Sequence, residues 1–304
     1  MFRKQRAGTR AYDHHTSAQA HPRNRIHGSP CYDPSVFQFR STSAPEFLPD
    51  LAAREWIATR LRTLAAQLHD VEATQAPQLI MPSSRMPVDL DGLFDLLCAM
   101  QEELGQADLE FTLLEASEQA PQLPKDFSTL GDPSGQLLHT AFGRGEYVLL
   151  YTPTLFKKKE LLAASVAREL GRMAIHQHDG HQGIETKDME ADSELAAIIL
   201  GLGVWVANGS YLFENSCCGG GCGVDLRGLR TGLSMPEACF ATALDGQRKG
   251  VGRRAVTKHL SPTQKSAFKT SWKHLGRLDA KALAPPISNP TTVSAPTQAE
   301  IEAL

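Results

Sequence analysis

Two stretches decide how this chain folds. One is Ser165-Val166-Ala167-Arg168-Glu169-Leu170-Gly171-Arg172, and the other is Glu190-Ala191-Asp192-Ser193-Glu194-Leu195-Ala196-Ala197-Ile198-Ile199-Leu200-Gly201-Leu202-Gly203-Val204-Trp205-Val206-Ala207-Asn208. The first lies in a long helix expected over about 155–175, the second in another over about 188–207. Arg168 and Arg172 stand four residues apart, so they share one helix face, with Glu169 between them in the sequence. Glu190 and Glu194 repeat that spacing on the second helix. The pattern is a helix pair with two cations on one member and two carboxylates on the other.

The segments around this pair supply the rest of the domain. Residues 51–71 carry Ile57, Leu61, Leu64, Ala65 and Leu68 at helical spacing, and 88–104 do the same with Leu90, Leu93, Leu96, Leu97 and Met100. Leu109 to Leu114, Gln136 to Phe142 and Glu146 to Tyr151 read as strands, and Gly143-Arg144-Gly145 suits a hairpin turn between the last two. Ser234-Met235-Pro236-Glu237 is a capping box with proline in the first turn, and Ser261-Pro262-Thr263-Gln264 repeats the device. The expected fold is α+β: a mostly helical domain with a small antiparallel sheet, spanning 45–282. Residues 1–44 read as a disordered basic arm, and 283–304 as a Pro/Thr-rich disordered tail.

Composition narrows the function classes. The chain has 304 residues, 41% hydrophobic and 21% charged, with a net charge of -3, so nothing in it demands nucleic acid or an anionic membrane surface. The longest apolar run, near Leu195 to Ala207, is expected to be too short to span a bilayer. The start, Met1-Phe2-Arg3-Lys4, is basic and lacks the apolar segment of a secretory signal, so a cytoplasmic location is expected. Cys217, Cys218 and Cys222 crowd a Gly-rich stretch; adjacent cysteines with no second C-x-x-C pair are a poor structural zinc site, and a Gly-rich insertion is the favoured reading.

The charged helix pair carries the chemical question. With His at 168 and 172, the first stretch would be an H-E-x-x-H motif, in which two imidazoles bind zinc and the Glu between them is the general base. Arginine is protonated at any accessible pH and offers no lone pair to a metal. The carboxylates on the next helix and the Gly201-Leu202-Gly203 and Asn208 run complete a pattern that resembles bacterial gluzincin-like zinc metallopeptidases, over roughly 147–275. That resemblance implies a zincin-like core, Glu169 at the general-base position, and Glu194, or else Glu190, at the third-ligand position. Arg168 and Arg172 fall where such proteins have His. Two guanidinium groups carry the charge of one Zn²⁺, and the expectation is forked hydrogen bonds from them to Glu190 and Glu194. No metal is then expected, and Glu169 is vestigial. The function implied is binding of a peptide or protein partner without hydrolysis, by strand addition beside Glu146 to Tyr151.

Two alternatives remain at this stage. His176, His178 and His181 follow the motif helix and, with Glu190 or Glu194, form a candidate relocated zinc site for an active hydrolase. The other is a helical interaction module whose basic arm meets an acidic partner.

Overall fold

A computed structural model of the chain describes residues 47–68, 79–81, 86–116, 123–179, 188–214, 229 and 231–276, without the side chains of 179 and 211–214. The basic arm, the C-terminal tail, the Cys217/Cys218/Cys222 loop and His181 lie outside the described residues.

Helix α1 (Leu51–Gln67) starts where Asp50 accepts from the Ala53 N–H at 2.8 Å, and α2 (Leu90–Glu103) starts where Asp89 accepts from Gly92 at 2.9 Å. The sheet follows: β1 (Phe111–Glu115), β2 (Ser128–Thr129), β3 (Leu138–Gly143) and β4 (Glu146–Tyr151), in the spatial order β1-β4-β3-β2. β3 and β4 form the expected hairpin. Its two turn residues, Arg144 and Gly145, both take positive φ (54° and 83°), the turn whose twist matches that of paired strands.

The sheet is mixed, which corrects the antiparallel expectation: β1 pairs with β4 in parallel, Phe111 opposite Tyr147 through Glu115 opposite Tyr151. An apolar run does not state its direction, and β2, only two residues long, has no periodicity to announce it. A second correction concerns β4. It is an interior strand, paired on both sides, and buried at every position except Glu146. Its backbone groups are spent on β1 and β3, so strand addition along Glu146 to Tyr151 has no free edge to use.

One face of the hairpin, with Leu138, Leu149 and Tyr147, belongs to the main core against the helices; Ala141, Val148 and Leu150 form a small cluster on the other side with Leu114, Leu123 and Phe127. A short 3₁₀ turn (Pro153–Lys157) leads into α3 (Lys159–Asp179), which carries the RELGR pentapeptide and is buried from Leu161 to His176.

The second stretch is not one helix. α4 (Met189–Ala197) and α5 (Gly203–Glu214) are joined by a wide π-type turn at Ile198–Leu202, with Gly201 at φ 92°. The break frees backbone carbonyls inside the core, and partners reach them: the Ile80 N–H donates to Gly201 O at 2.9 Å and Lys249 Nζ donates to Ile199 O. By length and composition Met189–Ser210 is apolar enough to cross a membrane, longer than the run expected from sequence, but 94% of its apolar window is buried inside this protein. The helices α6 (Met235–Arg248), α7 (Arg253–Thr257) and α8 (Pro262–Leu275) close the core; α6 starts at the expected capping box of Ser234 and Glu237, and α8 starts at Ser261 but without the expected box, because the Gln264 amide donates to Asn208 O and not back to the cap.

α3 and α4 cross very closely. A Cβ built on Gly171 would lie 2.1 Å from the Ser193 carbonyl oxygen and 2.7 Å from the Ala197 nitrogen. Glycine at 171 is what lets the two charged faces meet.

Candidate functional site

The motif residues are buried: Arg168 and Arg172 are each 1% exposed and Glu169 is 0% exposed, while Glu194 on α4 is 5% exposed. Burial of charge on this scale requires pairing. Arg172 Nε donates to Glu169 Oε2 at 2.9 Å and its Nη2 reaches Glu169 Oε1 at 3.4 Å. Arg168 bridges outward, from Nε to Glu169 Oε1 at 3.4 Å and from Nη1 to Glu194 Oε1 at 3.4 Å. Glu194 also accepts from the N–H groups of Gly232 (3.2 Å) and Leu233 (2.8 Å), which ties the start of α6 to the network.

The two arginines therefore do face the second carboxylate helix, but the partition differs from the expected one. Glu169 is the hub of both cations. Glu190 is only a distant partner, with Oε1 4.0 Å from Arg172 Nη1. The reason is geometric: a glutamate one or three residues away on the same helix is already within reach, and Glu190 sits at the rim with a side chain 16% exposed.

The network enters the sheet. In a regular antiparallel hydrogen-bonded pair, two facing residues exchange both backbone bonds. Leu130, just past β2, and Thr140 on β3 make only one: the Leu130 N–H donates to Thr140 O at 2.9 Å. The Thr140 N–H instead donates to Glu169 Oε2 at 2.8 Å, joined by its hydroxyl at 2.9 Å, and the Leu130 carbonyl accepts from Arg172 Nη1. The Arg172–Glu169 pair is inserted into the missing half of that rung.

Burial works against the Glu169 charge, but the arginines, Arg172 foremost, with His139 and the Thr140 hydroxyl, outweigh it and hold its pKa below the ordinary carboxylate value. Glu194 goes the other way. Its burial outweighs Arg168 and the two backbone N–H groups, and its pKa is raised. His139 on β3 is 2% exposed, and neither ring nitrogen has a hydrogen-bond partner among the described residues. Burial, helped by Arg172 and Arg168, pushes its pKa down to about 4, so it is neutral at pH 7.

Of the relocated metal set, His181 lies outside the described residues, and the structure gives His176 and His178 other surroundings. His176 Nδ1 is 2.8 Å from the Tyr147 hydroxyl, and its ring packs on Phe142 at 4.4 Å. His178 is exposed. Among the described residues no group of three or more His, Cys, Asp or Glu is placed to hold a metal ion.

Several site residues carry no sequence signal of their own. Asp192, 0% exposed, takes a two-pronged bond from Arg60 on α1 at 2.6 and 2.7 Å. Thr140, His139 and Gly131 matter only because β3 and the segment after β2 lie against α3. Beside the network opens a cavity of about 330 Å³, walled by Asp132, Asp188, Glu190 and Glu237 with Trp56 and Leu233. The i, i+4 carboxylate on α4 was the one legible part of that wall.

No protein-family model, curated protein or solved structure matches this chain.

Proposed function

We propose that this protein is a non-hydrolytic relative of zinc metallopeptidases that binds an extended peptide, or an extended segment of a partner protein. One observation carries the reading: the Glu169 carboxylate is fully buried and surrounded by Arg172, Arg168 and Thr140. A general base needs a lone pair within hydrogen-bond reach of the water it activates and a pKa near the working pH. Glu169 has its oxygens turned to cations and a backbone N–H, and its pKa is depressed, so it is a poor proton acceptor. The positions that would hold a metal bear guanidinium groups, which donate and never ligate. What they do offer is a fixed, dry hydrogen-bond donor, and Arg172 already uses it on a peptide carbonyl, that of Leu130. Such a donor suits recognition of backbone, and the acidic cavity next to it suits a positively charged side chain on the ligand.

The test is a peptide library presented to the purified full chain with zinc in the buffer. The expected result is capture of a subset of peptides, all recovered uncut by mass spectrometry, with no zinc retained. Cleavage that zinc chelation abolishes would sink the reading. The double variant Arg168→His with Arg172→His adds a check on ancestry: it is expected to bind one zinc per chain, and failure to do so in a folded protein removes the support for a metallopeptidase relationship.

A further inference from the structure

The net charge of -3 hides a local asymmetry. From Gly246 to Gly276 the chain has no Asp or Glu and eight Lys or Arg. Two of the eight, Arg248 and Lys249, pair with Asp245 at the end of α6. The other six are Arg253, Arg254 and Lys258 at α7 and Lys265, Lys269 and Lys273 on α8. Their side chains make no hydrogen bond or ion pair among the described residues. All are exposed except Lys265, which is half-buried.

The spacing puts the lysines of α8 in a row. Lys265, Lys269 and Lys273 follow at i, i+4 and i+8, so they lie along one face about 6 Å apart. The other side of the helix, with Ala267, Phe268, Ser271 and Leu275, is buried. A Cβ built on Gly246 would lie 3.3 Å from the Trp272 ring and 4.0 Å from Val251 Cβ. That shared contact brings the start of α7, with Arg253 and Arg254, to the Lys273 end of the row.

Solvation alone does not ask for this pattern. Solvated helix faces mix signs, because like charges at i, i+4 repel and opposite ones attract. α8 has two like-charged steps and no acid in its first turn, where the helix dipole disfavours the Lys265 charge. A row of cations kept without partners is complementary to a polyanion. The exposed large apolar residues, Leu51, Trp56, Val88 and Leu90, all lie outside this face, so it has none to sink into an acyl layer. The same lack removes the apolar centre that a protein interface uses. Trp272 is half-buried with its ring 5.5 Å from that of Phe268, a poor platform for unpaired bases. A phosphate backbone needs only cations. The row is about 12 Å long, close to the width of the B-form major groove, whereas duplex RNA is held by surfaces that span two minor grooves.

We propose that α8 and the start of α7 form a face that binds the phosphate backbone of double-stranded DNA without sequence preference. The lysine row, with Arg253 and Arg254, donates to phosphate oxygens and releases condensed counterions. The face uses no residue of the Arg–Glu network and does not rest on the peptide-binding reading.

The test is fluorescence anisotropy of a labelled mixed-sequence DNA duplex with the full chain, at salt from about 50 to 200 mM. The expected result is binding whose log K falls linearly with log salt. The variant Lys265→Gln, Lys269→Gln, Lys273→Gln is expected to bind at least about tenfold more weakly at the low-salt end. Its slope should be shallower by about 2–3, because each phosphate contact contributes about 0.9. Lys125→Gln with Arg144→Gln, two exposed cations of the sheet region, is expected to bind as the unmodified chain does. No binding of the duplex at low salt, or undiminished binding by a folded triple variant, overturns the proposal. Equal weakening by the Lys125/Arg144 variant also overturns it, since net charge and not this face would then hold the DNA. If phosphatidylserine vesicles or poly-glutamate displace the duplex at matched charge concentration, the occupant is a membrane or an acidic protein instead. Tighter binding of the same sequence as duplex RNA removes the assignment to DNA.

Discussion

Replacing Glu169 with Gln removes one negative charge from the centre of the buried network and leaves its shape almost unchanged. The amide oxygen still accepts from Thr140, so the loss falls on the cations. Arg172 keeps the Leu130 carbonyl and a distant Glu190, and Arg168 keeps Glu194. Breaking a buried ion pair by removing one partner costs roughly 3–5 kcal/mol, because a charge is left without compensation in a poor solvent. The surviving contacts put the expected loss near the lower end, about 3 kcal/mol. For a folded region of this size, 1 kcal/mol shifts the melting temperature by about 2–4 °C, so a fall of roughly 6–12 °C is expected. The informative comparison is the quadruple variant Arg168→Met, Glu169→Leu, Arg172→Met and Glu194→Gln, which removes every buried charge of the cluster and keeps an amide oxygen for the Leu233 N–H. Exchanging a whole buried ionic cluster for apolar side chains of similar volume is often neutral or stabilising by about 1–4 kcal/mol. Differential scanning calorimetry on the two proteins at pH 7, with urea unfolding as a second probe, separates the terms. The acid limb supplies an independent sign. Glu169 has a depressed folded-state pKa, so its contribution is present above the ordinary carboxylate pKa and is lost as pH falls through the folded value. Glu194 has a raised pKa, so it contributes oppositely: stability declines as pH rises from the ordinary carboxylate range through its folded value. Glu169→Gln therefore flattens the loss at the acid end, and Glu194→Gln removes the decline above it. A melting shift under about 2 °C in Glu169→Gln, with circular dichroism unchanged, would refute the claim that this carboxylate holds the two arginines.

Two further outcomes follow from the packing. Gly171→Ala forces a methyl group to 2.1 Å from the Ser193 carbonyl and is expected to cost about 3 kcal/mol by pushing α3 and α4 apart, read as a drop in urea midpoint at constant slope; a loss below about 0.5 kcal/mol would mean the helices do not cross this closely. His139→Leu removes a titration: with the folded pKa at about 4 and the ordinary value at 6.5, the unfolded chain takes up a proton that the folded chain refuses, so about 3 kcal/mol is lost between pH 6.5 and 4 in the parent and retained in the variant. Parallel pH profiles for parent and variant would show that His139 is not buried uncharged.

The legible part of the site lies in residues that act on their own helix. Arg168, Glu169 and Arg172 announce one face by spacing, and Glu190 with Glu194 announce another; the fold brings both faces together. The capping box at Ser234 with Glu237 places the start of α6 for the same local reason, whereas at Ser261 the expected box does not form: Asn208, distant in sequence, takes the Ser261 N–H and the Gln264 amide instead. What escaped reading is set by partners distant in sequence. Direction of pairing made β4 interior, although its own sequence is equally good at an edge. Glu169 took both arginines because the nearest carboxylate wins when all are desolvated, a competition that spacing alone does not rank. Gly201 breaks the second helix only because Ile80 and Lys249 are there to satisfy the carbonyls it frees.

The same distinction explains why the segment 128–132 was invisible and why it is informative. Phe127-Ser128-Thr129-Leu130-Gly131-Asp132 has no strand periodicity worth trusting, and two paired residues are too few to hold a strand by backbone bonds alone. It is held because Leu130 is buried and Arg172 captures its carbonyl. Arg172 is both the closer partner of Glu169, at 2.9 Å against 3.4 Å for Arg168, and the donor to the Leu130 carbonyl. The pair divides its contacts: Arg168 ties α3 to α4 and the start of α6 through Glu194, and Arg172 ties α3 to the sheet through the Leu130 carbonyl. Exchanging the two roles by Arg172→Lys tests that division, because a lysine keeps the charge and loses the fork that reaches Glu169 and Leu130 at once. Its stability should fall by less than that of Glu169→Gln, while peptide capture should be lost as completely as in Arg172→Met; equal capture by Lys and Arg would show that charge alone suffices at this position.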